Sequence, residues 1–259
     1  MAKCVACHKP LMLHVEPDEE DEDEPTGGSA SANTGSYVDD DVQLQCGCHF
    51  HWQCLLDSYS MSECPNCGRN LITHTPSGEQ QLLCNLKNEG GLQEGLDMLP
   101  LLTEESYLKA YPEERRCRAF LEFCGEGDVE AIVDLLNDND EEEDGGHPDQ
   151  GTGPNIDALR YQDHIGSMGS GLHVAIQNQR VEVAWLLLIL ASTLKMDQFP
   201  AEVLQAAHDL GIQREDQGEK TDIRSLKDSQ GMTAEQRAAA IAGPWREWLQ
   251  SGRLKPPAS

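Results

Sequence analysis

Cys46-Gly47-Cys48-His49-Phe50-His51-Trp52-Gln53-Cys54 is the stretch on which the reading of this chain turns. A Cys-x2-Cys pair stands before it at Cys4 and Cys7, and another after it at Cys64 and Cys67. Such a pair sits on a tight knuckle and aims both sulfurs at one ion, so each pair is half of a metal site. Cys46 with Cys48, and His51 with Cys54, supply two more halves. Eight Cys and His ligands are enough for two tetrahedral zinc ions with nothing left over.

The order and spacing of these ligands resemble the RING finger family. The resemblance implies that alternate pairs share an ion. Site one is then Cys4, Cys7, His51 and Cys54, and site two is Cys46, Cys48, Cys64 and Cys67. The Phe50 before His51 and the knuckle Cys64-Pro65-Asn66-Cys67 also look like that family. Cys48 stands where the family usually has His, and His49, one residue on, is the alternative ligand for that place.

Composition bounds the rest. A chain of 259 residues implies one to two domains. The opening Met1-Ala-Lys-Cys4 has no apolar signal core, and the longest apolar run, Ala184 to Ala191, is too short to span a bilayer. A cytoplasmic or nuclear location is therefore expected, where thiols stay reduced and cysteine spacing reads as metal. Cys84, Cys117 and Cys124 remain outside the ligand set, and Cys124 lies on a helical apolar face as plain core. The net charge of −27 argues against nucleic acid and against anionic membranes as partners.

Much of that charge comes from two runs, Glu16 to Glu24 and Asp138 to Asp144, set among Gly, Pro, Ser and Asn. Both read as disordered, solvated insertions. The first makes residues 16–41 an acidic insertion inside the zinc module, which spans 1–73. Loop closure costs little more as a loop lengthens, so metal can hold the module together across it. Residues 74–112 read as a linker with short helices over Leu92 to Leu102 and Thr103 to Ala110.

From 113 to 252 the pattern repeats. Phe120 to Leu136 aligns with Leu172 to Leu188 at one constant offset, apolar position for apolar position. Each copy reads as a short amphipathic helix, a turn and a second helix, a hairpin that needs neighbours to bury its face. The hairpins resemble ankyrin repeats. Ser170-Gly171-Leu172-His173-x-Ala175 stands where that family has Thr-Pro-Leu-His-x-Ala, and Gly127-Asp128-Val129-Glu130 matches its inter-helix turn. A third copy opens at Asp228-Ser-Gln-Gly231-Met-Thr233, with a capping box of Thr233 and Gln236. Residues 137–164 read as an acidic inter-repeat loop, Pro200 to Leu210 as an extra helix, and 253–259 as a disordered tail.

The expected fold is a small α+β cross-brace RING zinc domain followed by an all-α ankyrin-like helical repeat domain. The RING resemblance implies a ubiquitin-protein ligase that works as a scaffold. It recruits a charged ubiquitin-conjugating enzyme, forms no covalent intermediate of its own, and selects a protein substrate through the repeats. No catalytic residue is expected on this chain. The positions matching the family's docking surface are Val5, Ala6, Leu55, Leu56, Tyr59 and Pro65. Where many members carry a cation that clamps ubiquitin, this chain has Gly68 followed by Arg69. The alternative is a non-catalytic adaptor that binds zinc and protein partners.

Overall fold

Two short strands, β1 (Met12–Val15) and β2 (Ser36–Asp39), pair antiparallel with Met12 opposite Asp39 and Val15 opposite Ser36. Strand β3 (Asp41–Leu44) follows. It alternates by the two-residue period of a strand with one buried face, Val42 and Leu44 inward and Asp41 and Gln43 outward. The computed structural model describes residues 2–15, 36–58, 62–137, 156–212, 214, 217–218, 220–241 and 243–257. They belong to two units, Met1–Tyr107 and Leu108–Ser259.

In the first unit β3 is the second strand of a four-stranded sheet. Its neighbours are β4 (His49–Phe50) on one side and β7 (Leu83–Asn88) on the other, with β8 (Gly91–Asp97) beyond β7. Helix α1 (Trp52–Ser58) starts directly after β4, and β5 (Thr73–His74) and β6 (Gln80–Gln81) form a separate small ribbon. The core holds Leu11, Val42, Leu44, Phe50, Leu55, Leu71, Leu82, Cys84, Leu86, Met98 and Leu102 together with Cys4 and Cys64.

This corrects the expected boundaries. Residues 83–97 are a β-hairpin, and Leu82, Cys84, Leu86 and Met98 are core, so 74–107 is part of the metal-ligand unit instead of a linker. The helix expected from Leu92 begins only at Leu99, and one helix, α2, runs from Leu99 to Ala110. Within the expected insertion, Ser36–Asp39 is strand β2 and Asp41 opens β3; the acidic run Glu16 to Glu24 and the run Asp138 to Asp144 lie outside the described residues.

The second unit stacks three helical hairpins. They are α3 (Arg115–Glu126) with α4 (Val129–Asn137), α5 (Gly171–Gln177) with α6 (Val181–Ala191), and α8 (Ala234–Ile241) with α9 (Arg246–Ser251). Helix α5 packs against α3 on one side and α8 on the other. Helix α7 (Ala201–Asp209) lies in sequence between the second and third hairpins. Each inter-helix turn reverses through a residue with positive φ: Gly127 at 88°, Gln179 at 57° and Gly243 at 68°. Gln179 occupies the place of Gly127 at the repeat offset, so the backbone geometry recurs where the residue type does not.

A second recurrence went unread in the sequence. Asp157-Ala-Leu-Arg160-Tyr-Gln-Asp163 and Asp222-Ile-Arg-Ser225-Leu-Lys-Asp228 both form a single 3-10 turn followed by an aspartate-capped loop. Asp163 Oδ1 accepts from the amides of Ile165 and Gly166, and Asp228 Oδ1 from those of Gln230 and Met232. The two loops bond to each other, Gln162 Nε2 donating to Lys227 O and Ser229 N to Ser167 O. Residues 156–164 are therefore the entry to the second hairpin and not a loop insertion. The tail is corrected too: Leu254 is fully buried and the Arg253 guanidinium lies over the Trp185 ring. Among the described residues no helix is long and apolar enough to cross a membrane.

Candidate metal centres

Two backbone knuckles of one design carry the outer cysteine pairs. In the first, Lys3 bridges Pro10, Cys4 N donates to Lys9 O and His8 N donates to Cys4 O. In the second, Glu63 bridges Asn70, Cys64 N donates to Arg69 O and Gly68 N donates to Cys64 O. Both turn on a left-handed residue after the second cysteine, His8 at φ 61° and Gly68 at φ 66°. The next buried residue is a leucine each time, Leu11 and Leu71. Gly68 takes that φ without steric cost, whereas His8 takes it with a side chain.

The middle ligands come from the hairpin between β3 and β4 and from the start of α1. Cys46 and Cys48 flank Gly47, whose φ of 85° and bond to Leu44 O close the turn. His51 lies between β4 and α1, and Cys54 lies in the first turn of α1. The buried carboxylate of Asp40 accepts from Trp52 N at 3.0 Å and caps that helix, fixing where His51 and Cys54 point.

These elements bring the eight ligand residues into two groups: Cys4, Cys7, His51 and Cys54, and Cys46, Cys48, Cys64 and Cys67. Within each group the ligand atoms lie within 4.8 Å of one another, close enough to share one metal ion. His51 Nε2 donates to Pro10 O at 2.7 Å, leaving Nδ1 as the lone-pair nitrogen, 3.2 Å from Cys7 Sγ. Metal-binding histidines are held this way, with the second ring nitrogen tied to a carbonyl or carboxylate. His49 is engaged elsewhere, its Nδ1 paired with Asp41 at 2.7 Å, so Cys48 fills the fourth ligand place. Asn66 Nδ2 donates to Cys48 Sγ.

The thiols within each group differ. Burial works against ionisation of Cys4, but the amides of Cys7, His51 and Ala6 outweigh it and hold the thiol down at about 6. Burial and the neighbouring sulfurs of Cys7 and Cys4 push Cys54 up to about 12. In the second group the Arg69 amide holds Cys67 at about 7, while burial drives Cys46 up to about 12 and Cys64 upward. Cys4 and Cys67 are thus favoured as thiolates while Cys54, Cys46 and Cys64 resist ionisation, a bias that a divalent cation would offset by supplying positive charge. The donor set is sulfur and imidazole nitrogen, which suits a soft or borderline ion and not calcium or magnesium. Cys84 and Cys117, raised to about 11 by burial, and Cys124, raised further, lie outside both groups as buried free thiols.

Of the expected docking residues, Ala6 and Pro65 are exposed and Val5 and Leu56 half-buried. Leu55 is corrected: it is fully buried on the inner face of α1 and belongs to the core. Tyr59 lies outside the described residues. Arg69 is exposed on the second knuckle, its backbone spent on Cys64 and Cys67. Asp40 and the Pro10 carbonyl were not anticipated. Asp40 reaches Trp52 from across the β3–β4 hairpin, so no local capping signal marks it in the sequence, and none marks a carbonyl.

No family model, no curated protein and no solved structure matches this chain.

Proposed function

We propose that the first unit is a RING-type zinc domain and that the chain is a ubiquitin-protein ligase. The observation that carries this reading is the interleaving of the two groups. The first ligand pair joins the third and the second joins the fourth, the arrangement to which the RING resemblance leads. Four sulfur or imidazole donors per group, all within 4.8 Å of one another, favour zinc. Zinc would supply rigidity here and no open coordination position, so the chemistry falls to a partner enzyme.

On this reading the chain accelerates transfer by orientation. Val5, Ala6, Leu56 and Pro65 on the two knuckles and α1 meet the charged conjugating enzyme, and the exposed guanidinium of Arg69 holds its ubiquitin in an attack-ready pose. The stacked hairpins of the second unit are read as ankyrin-like repeats that select the protein substrate. Their recurring left-handed turns, the Ser170–His173 cap and the paired aspartate loops support that reading.

The test is discharge of ubiquitin from a panel of charged conjugating enzymes, with Cys64→Ser and Arg69→Ala beside the parent. Acceleration that falls in both variants is expected. With two zinc ions verified per chain, no acceleration by any enzyme would sink the ligase reading and leave a zinc-binding adaptor.

A further inference from the structure

Four of the nine large apolar side chains left exposed among the described residues sit on the β1–β2 ribbon. They are Met12, Leu13, Val15 and Tyr37, at 39, 51, 44 and 65 % exposure. Alternation along the strands puts them on both faces, Met12 and Tyr37 on one, Leu13 and Val15 on the other. His14 and Tyr37 stack edge to face across the strand pair. Among the described residues the two strands pair only with each other. A two-stranded ribbon exposed on both faces is marginal in water, and its outer edges offer backbone donors and acceptors to a third strand.

Charge says what that strand carries. The segment joining β1 to β2 has acid at eight of the nine positions from Glu16 to Glu24, and the chain carries −27 overall. A second copy pairing here would bring two such runs together, and an anionic membrane would be repelled. An extended segment alternating cationic and apolar residues meets both demands: its apolar side chains cover Leu13 or Tyr37, and its cations match the negative charge that the chain carries.

We propose that the β1–β2 ribbon is a docking edge for an extended, lysine- and arginine-rich segment of a protein partner, added as a third strand. This recognition is separate from the metal centres and does not rest on the ligase reading.

The test titrates the full chain with a short labelled peptide alternating Lys and Val, beside Lys–Gly and Glu–Val peptides of equal length. The Lys–Val peptide is expected to bind at least about tenfold more tightly than Lys–Gly, with Glu–Val not binding. It should also slow amide exchange over 12–15 and 36–39. Leu13→Ser with Tyr37→Ser should remove the Lys–Val advantage without changing the metal content. Equal affinity for the Lys–Val and Lys–Gly peptides would mean charge attraction alone and would overturn the proposal. So would a dimer of the parent chain that is lost in Leu13→Ser, since the edge would then belong to a second copy.

Discussion

Among the described residues, thirteen apolar side chains make the core of the first unit, two of them the metal-ligand cysteines Cys4 and Cys64, against twenty-eight in the second. The second unit buries a nearly all-round apolar helix, α6, and an aromatic group of Trp185, Phe199, Trp245 and Trp248. The first has short strands, one helix wholly its own and two ligand groups spread from Cys4 to Cys67. The difference teaches that two parts of one chain are organised by different forces. Ligand geometry dominates where the apolar area is small, and area burial dominates where repeats can stack.

The widest gap between the units should open on metal removal. On the proposed zinc reading, a structural ion contributes about 10–16 kcal/mol of apparent binding free energy. A strong chelator, or Cys4→Ser, is therefore expected to unfold the first unit and spare the second. Trp52 is the first unit's tryptophan and the other three lie in the second. Near-ultraviolet circular dichroism of single-tryptophan variants would separate the two transitions, and a second unit that melted with the chelator would break the contrast.

Steric change should act on the second unit alone. A Cβ on Gly171 would stand 2.8 Å from Phe120 Cε1 and 3.0 Å from Cys124 Sγ. Gly171→Ala is expected to cost the second unit about 1–3 kcal/mol, and less in a Phe120→Leu background. Urea denaturation of the four proteins would reveal that coupling, and strict additivity would refute the contact.

Acid should separate the units differently. Asp222 is buried, which favours its neutral form, yet the bonds from Arg224 and Thr193 outweigh burial and hold it at about 2, below its ordinary 3.8. A depressed carboxylate stabilises above its unfolded value and loses that contribution as pH falls through the folded one, here between 3.8 and about 2. The loss is on the order of 2 kcal/mol. His173 acts earlier: burial lowers it from 6.5, so the unfolded chain takes up the proton first and stability declines as pH drops below that value. Stability curves of Asp222→Asn and His173→Gln should each flatten in their own window and not in the other.

The smallest effect tests the two knuckles. His8 and Gly68 hold the same left-handed turn, and only the histidine is strained by it. His8→Gly should stabilise the first unit by about 0.5–1 kcal/mol, and Gly68→Ala should cost about as much. Melting of both variants with metal bound would check the sign of each.

The ligand residues were legible because Cys-x2-Cys chemistry is local: a short chain segment decides where both sulfurs go. The hairpins of the second unit were legible because helical periodicity is also local, and the match of Phe120–Leu136 with Leu172–Leu188 repeats it. The hairpin over 83–97 was missed although Leu82, Cys84 and Leu86 fall on alternate positions before Asn88-Glu89-Gly90-Gly91, a strand followed by a turn. Its partner, β3, lies some forty positions earlier, and strand pairing at that distance leaves no periodic trace. Leu55 reads equally well as surface or core on a helix of seven residues, and only the packing of α1 over the sheet makes it core. Gly171 stands where the ankyrin pattern has proline, and only the packing shows that the Phe120 ring occupies the space a side chain there would need. By itself, then, the sequence determined which residues could meet a metal and which segments could stack, because both depend on spacing along the chain. Tertiary structure brings the half-sites together in the grouping that the RING resemblance implied, and it alone decided where the first unit ends and which apolar residues remain outside, because these depend on contacts between segments far apart in the chain.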